Sequence, residues 1–149
     1  MKQKKVETIL VTGGFGYVGT YLVNLLIDQN YKVIVVDNLS NGKKFKKKNL
    51  DHFKKKFSSK IVTEYIRKNN IKKIVHLAAF IDSEESVRNP IKYFKNNVIE
   101  LKKFIENLQY TKLKKIIFAS SAAVYGNIAK KKINESSKTF PLSPYGLSK

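Results

Sequence analysis

The stretch VTGGFGYVGT, residues 11–20, sets Gly13, Gly16 and Gly19 three apart between an apolar run and a helix-like one. The run that leads into it, ETILVTGG (7–14), reads as a β-strand buried on both faces. The run that leaves it, GYVGTYLVNLLIDQN (16–30), carries Val18, Leu22, Leu25 and Leu26 as a helical stripe. A strand, a glycine turn and a helix in this order suit a pyrophosphate. The first glycine permits the tight turn, the middle one lets the backbone approach phosphate, and the third lets helix pack on strand. The helix N-terminus adds N–H groups and a positive dipole end for an anion. A glycine turn used only for packing has the same spelling, so the neighbours have to decide.

Asp37 is the first such neighbour, 24 residues after Gly13 at the end of YKVIVVDN (31–38), a second buried strand. A carboxylate there can accept hydrogen bonds from an adenosine ribose and repels a 2′-phosphate, which favours NAD over NADP. Lys43 and Lys44 follow closely and weigh the other way, and a strand-end cap is the plainer use of the same acid. Beyond it, strand-like KKIVHLAAF (72–80) and LKKIIFASS (113–121) alternate with helical SSKIVTEYIRKNN (58–70) and PIKYFKNNVIELKKFIENLQ (90–109). The latter starts on Pro90 and spaces Ile91, Phe94, Val98, Leu101, Phe104, Ile105 and Leu108 as a helix does. The alternation predicts parallel βαβ units. One segment departs from it: residues 41–60, crowded with lysine, read equally as a basic surface loop, a degenerate edge strand or a shortened unit.

The bulk properties bound the rest. A chain of 149 residues, 42% hydrophobic, has the size of one domain with a real core. No apolar run approaches the ~20 residues of a membrane span, and MKQKKVETIL (1–10) lacks the pattern of a signal peptide. A cytoplasmic protein with no membrane partner is expected. There is no cysteine, and His52 and His76 have no metal-ligand spacing, so no metal site is expected. His76, at a strand end before two alanines, reads as a packed core histidine, and Glu84 and Glu85 read as solvated. The net charge of +19 invites a nucleic-acid reading, yet only Arg67 and Arg88 among 30 basic residues are arginine. The lysines are spread through every polar segment, so the charge reads as solvated surface with no specific nucleic-acid site.

Near the C-terminal end, SPYGLSK (143–149) begins a helix and sets Tyr145 and Lys149 four apart, on one helical face. That spacing fits a solvated pair or a catalytic one and does not choose between them.

Together these stretches resemble the extended short-chain dehydrogenases, in particular the NAD-dependent nucleotide-sugar epimerases. TGGFGYVG is similar to that family's cofactor loop and DNLSNG to its adenosine-ribose segment. HLAAF with ESVRNPIKYFKNNV is similar to the stretch crossing the nicotinamide side, FASSAAVYG to the strand bearing the catalytic serine, and SPYGLSK to its YxxxK motif. The resemblance implies a Rossmann-like, doubly wound parallel α/β sheet, incomplete at the C-terminus and with a shortened or missing third strand. It implies that residues 1–149 are the N-terminal part of an NAD-binding domain, with the C-terminal substrate domain absent and little activity expected of the chain alone.

By the same resemblance Tyr145 is the acid/base, Lys149 its partner and Ser121 the catalytic serine. NAD would meet Gly13, Gly16, Tyr17, Val18 and Gly19, then Asp37, Asn38, Asn41 and Gly42 along the adenosine. Ala78, Ala79, Phe80, Asn97, Tyr145 and Lys149 would complete its surroundings. The implied substrate is a UDP-sugar, with UDP-glucose and UDP-galactose interconverted through a 4-keto sugar, and the implied assembly a homodimer through the 90–108 helix and its successor. An epimerase of another UDP-sugar or a non-catalytic dinucleotide-binding module are the competing readings. Related sugar dehydratases place an Asp–Glu pair just after the serine position; Ala122 and Ala123 stand there and can move no proton. The family's adenine-contacting aspartate has only Asp51 as a faint counterpart.

Overall fold

The computed structural model describes residues 6–127 and 132–149. Residues 1–5, half of the stretch read for a signal peptide, lie outside the described residues. The chain divides into two compact units, Met1–Ala78 with Lys103–Ala119 and Ala79–Lys102 with Ser120–Lys149.

The first unit is a parallel sheet of β1 (Thr8–Thr12), β2 (Lys32–Val36), β3 (Leu50–Phe53), β4 (Lys73–His76) and β5 (Lys115–Phe118), in the order β3-β2-β1-β4-β5. Val11 stands opposite Val35 on one side and Val75 on the other. The chain runs outward from β1 to β3 and then returns to β4 on β1's free edge. That reversal is the hallmark of a doubly wound sheet, as the resemblance implies. The inner strands TILVT and KVIVV are β-branched and apolar on both faces, which suits strands covered on both sides. Leu10, Val11, Val33 and Val35 are fully buried. On one face α1 (Tyr17–Asp28) sets Val23 and Ile27 against Ile9, Val11, Phe15, Val33 and Val35. α2 (Lys60–Lys68) buries Val62 and Ile66, and α5 (Glu100–Leu108) buries Phe104 and Leu108.

His76 is buried, as its position suggests. Its Nδ1 lies 2.8 Å from Thr12 Oγ1, and the rings of Phe57, Phe104 and Phe118 surround it at 4.8, 6.1 and 5.9 Å. The lysine-rich segment resolves as a shortened unit: β3 is a four-residue edge strand paired to β2, and among the described residues no helix joins the two. Lysine-dense sequence offers no apolar stripe with which a helix could dock. The opposite edge strand, β5, leaves Ile116, Ile117 and Phe118 between 38% and 50% exposed.

The second unit contains α3 (Ser83–Arg88), α4 (Pro90–Tyr93), a π-helical turn over Phe94–Ile99, the start of α5, a 3₁₀ turn over Ala122–Tyr125, and α6 (Pro144–Leu147). α3 has too little apolar period to be seen in sequence, and its ends carry the signal instead. Asp82 accepts a hydrogen bond from Glu85 N at 2.8 Å, Glu84 and Glu85 sit in the first turn, and Arg88 in the last. Asn89 breaks it before Pro90 and caps α4 in turn. The helix expected to be regular over 90–109 is therefore widened in its first half by the π turn, which carries Asn97 inward to 4% exposure. Among the described residues no helix is long and apolar enough to cross a membrane.

Within the first unit Phe104, 1% exposed, packs between the Phe57 and His76 rings. Phe104→Ala is expected to lower folding stability by about 3–5 kcal/mol, read from the urea unfolding midpoint.

Candidate active site

In the first unit the glycine loop sits at the carboxyl end of the sheet, where ligands of such sheets bind. Gly13 has φ +69°, and a Cβ there would lie 2.7 Å from Ala78 N. Its own N–H donates to Val36 O at 2.9 Å, and Ala78 N donates to Thr12 Oγ1 at 3.4 Å, so the ends of β1, β2 and β4 meet at this turn. A Cβ on Gly19 would come within 2.3 Å of Gly13 O, which is how closely α1 lies on the loop. On Gly16 it would meet only Gly13 O, at 3.4 Å, and otherwise face open space. Gly16 is the N-cap of α1, where no side chain bonds the cap, and Tyr17 and Val18 lie exposed in the first turn.

Asp37 is nearly buried. Its Oδ2 accepts from Phe15 N at 3.0 Å and its Oδ1 from Leu39 N at 2.8 Å. The acid thus fixes the glycine loop and the start of the next loop, and each carboxylate oxygen keeps a further lone pair. Asn38 Oδ1 accepts from Ser40 N at 3.0 Å, Asn41 is exposed, and Gly42 passes so near the loop that a Cβ would meet Phe15 O at 2.5 Å. Two neighbours escaped the sequence reading. Gly14 leaves room for the Val35 side chain, which a Cβ would meet at 2.7 Å. His52, on the unrecognised β3, sets its ring 4.7 Å from Phe15 and its Nε2 3.1 Å from Asp37 O. Asp51 on the same strand is engaged instead by Lys32 Nζ at 2.9 Å.

In the second unit Tyr145 lies half-buried on α6, with Lys149 just beyond that helix's end. Burial holds the Lys149 ammonium below its ordinary value of 10.5. Ser120 Oγ donates to Lys149 O at 3.4 Å. Ser121 is extended and caps the 3₁₀ turn, its Oγ accepting from Ala123 N at 3.2 Å. Asn97 uses its whole amide. Nδ2 donates to Phe80 O at 2.9 Å and Ser148 Oγ at 3.0 Å, while Oδ1 accepts from Phe80 N and Asn96 Nδ2, each at 3.0 Å. It therefore fixes both backbone groups of Phe80, next to Ala79. The Phe80 ring carries Lys92 Nζ 4.4 Å from its centroid, and Lys92 is ion-paired to Glu85. Tyr93, fully buried, donates from its hydroxyl to Glu85 Oε2 at 2.9 Å; burial first and Glu85 second push its phenol up to about 12. Glu85 is thus a structural acid, where the sequence suggested a solvated one. Among the described residues no cluster of acids and histidines could hold a metal ion.

A family model described as GDP-mannose 4,6 dehydratase matches residues 10–149. The chain belongs to that family, within the extended short-chain dehydrogenases. Among curated relatives it is 36% identical over 142 residues to a UDP-glucose 4-epimerase of Halalkalibacterium halodurans, covering 95% of this chain and 42% of the relative. A putative UDP-glucose 4-epimerase of Methanocaldococcus jannaschii is 38% identical over 143 residues, covering 95% and 47%. The solved UDP-Glc/GlcNAc 4-epimerase of Campylobacter jejuni superposes with a TM-score of 0.89 at 33% identity, covering 95% of this chain and 45% of that one. A UDP-glucose 4-epimerase of Brucella ovis, solved in complex with NAD, gives 0.89 at 31%, covering 96% and 44%. The chain spans less than half the length of these members of the extended short-chain dehydrogenases.

Gly19→Ala forces a methyl onto the Gly13 carbonyl, a backbone atom that cannot swing aside. It is expected to cost about 1–3 kcal/mol of stability, read from thermal unfolding. Lys149 gives a pH signature. Below both its folded and its unfolded value the ammonium is charged in both states, and burial disfavours the folded one. Above 10.5 it is neutral in both and that penalty is gone. Lys149→Met is therefore expected to raise stability at pH 7, with the gain vanishing near pH 11 in a urea-unfolding series.

Proposed function

We propose that this chain is the NAD-binding part of a cytoplasmic nucleotide-sugar 4-epimerase that interconverts UDP-glucose and UDP-galactose. What carries the reading is the union of two features on one chain: a glycine loop tied to Asp37, and a YxxxK stretch with Tyr145 on α6 and a part-buried Lys149 just past that helix's end. The similarity to curated and solved epimerases over about 95% of the chain supports it. The loop suits a dinucleotide because Gly16 leaves open space beside the N-terminus of α1, while Gly13 and Gly19 are crowded by backbone.

NAD, when bound, accepts and returns a hydride at the sugar carbon. Gly13, Gly16, Tyr17, Val18 and Gly19 would hold its pyrophosphate, and Asp37, Asn38, Asn41 and Gly42 its adenosine. Ala78, Ala79 and Phe80 would line its path. Asn97 would act on it through Phe80, since its own amide is already engaged. Tyr145 takes the proton of the sugar hydroxyl as the carbonyl forms and gives it back on re-reduction. Lys149 stabilises the phenolate, more strongly for being part-buried, and Ser121 hydrogen-bonds the same hydroxyl. Ala122 and Ala123 offer no acid or base for loss of water, which favours epimerisation over dehydration despite the description of the matching family model. The whole protein would form a homodimer using the exposed Ile91, Val98, Ile99 and Ile105 of its 90–108 helical stretch.

The test is absorbance at 340 nm. UDP-sugar added to the NAD-loaded whole protein, of which this chain is the NAD-binding part, is expected to raise it, and Tyr145→Phe to slow that change at least about a hundredfold. NAD binding without any sugar-dependent change would favour a non-catalytic dinucleotide module.

A further inference from the structure

Tyr145 lies in the first turn of α6, so what holds the N-terminal end of that helix also sets the position of Tyr145. Its N-terminal donors can be accounted for one by one. Pro144 has none. Gly146 N donates to Ser143 Oγ at 3.1 Å and Leu147 N to Ser143 O at 2.9 Å, both local. The remaining donor, Tyr145 N, reaches outside the helix to Ser86 Oγ on α3, at 3.0 Å and 59 residues away in sequence. Ser86 is fully buried, and its hydroxyl proton goes to Ser83 O at 2.6 Å, leaving the oxygen as acceptor toward Tyr145. The other backbone group of the same residue is also held. Tyr145 O accepts from Ser148 Oγ at 2.7 Å, and that hydroxyl accepts from Asn97 Nδ2. Tyr93 stands edge-on to the Tyr145 ring at 6.4 Å, its hydroxyl tied to Glu85 of α3.

We propose that Ser86 is a positioning residue for the acid/base: through the Tyr145 amide it fixes the backbone from which the phenol projects. The proposal rests on the reading of Tyr145 as that acid/base. Ser86 touches neither sugar nor dinucleotide in this role. Its loss should slow proton transfer at Tyr145 without changing how tightly NAD is held, because a loosened helix places the phenol correctly for only part of the time.

The experiment has two readouts on the NAD-loaded whole protein, for Ser86→Ala and for Ser86→Thr, which keeps the hydroxyl. The first is hydrogen exchange of assigned amides by NMR. In Ser86→Ala the Tyr145 amide is expected to exchange at least about tenfold faster, with Leu10 and Val35 in the sheet unchanged. The second is the UDP-sugar-dependent rate at 340 nm, expected to fall about tenfold at unchanged NAD affinity and to recover in Ser86→Thr. Unchanged Tyr145 exchange in Ser86→Ala overturns the positioning role, as does a lost rate accompanied by equally lost NAD binding. If Ser86→Thr fails to fold, the exchange readout in Ser86→Ala decides. Failure of the functional reading looks different: Tyr145→Phe leaves the rate unaltered while the exchange effect of Ser86→Ala persists.

Discussion

Position 13 has no room for a side chain: its backbone is left-handed, and the Ala78 amide occupies the space a Cβ would take. Much of the first unit follows from that contact. Because Gly13 is bare, the end of β4 can close on the end of β1 while the Gly13 amide still reaches Val36 on β2. Because Gly19 is also bare, α1 starts directly on top of the turn. Asp37 then locks the loop from the second strand, and Gly42 and His52 close against Phe15 from beyond it. Four strand ends are drawn around one turn of backbone by hydrogen bonds and close approach.

Surface electrostatics contributes little to this arrangement. The pairs Lys32–Asp51 and Lys73–Glu7 are half-exposed, and such pairs are worth ~0–1 kcal/mol each. With 30 basic and 11 acidic side chains, pairing cannot neutralise the surface, and added salt relieves the self-repulsion that remains.

What was legible in the sequence was what local pattern controls. TILVT and KVIVV announce buried strands, and the glycines between them announce the turn, because both depend on neighbours within a few residues. β3 was legible only as one of three readings of residues 41–60, since LDHF is an edge strand that alternates weakly and sits among lysines. The π turn was hidden because the apolar spacing runs through it unbroken; its cause is tertiary, the engagement of Asn97 by Phe80 and Ser148. In the candidate site, Tyr145 and Lys149 could be recognised from their spacing within a familiar motif. The contacts that hold the Tyr145 segment could not: Ser86 is 59 residues from Tyr145 and Asn97 is 51 from Ser148, the residue that caps α6, and a buried serine looks like any other in sequence.

That separation also bears on the order in which the chain becomes native. The start of α6 is fixed by groups that lie far back in the chain, so local sequence alone does not set it. It closes only once α3 and the π turn present Ser86 and Asn97, two contacts of long sequence separation that carry a large loop-closure entropy. Fixing the Tyr145 amide thus carries that loop-closure entropy and waits on the elements that bear Ser86 and Asn97.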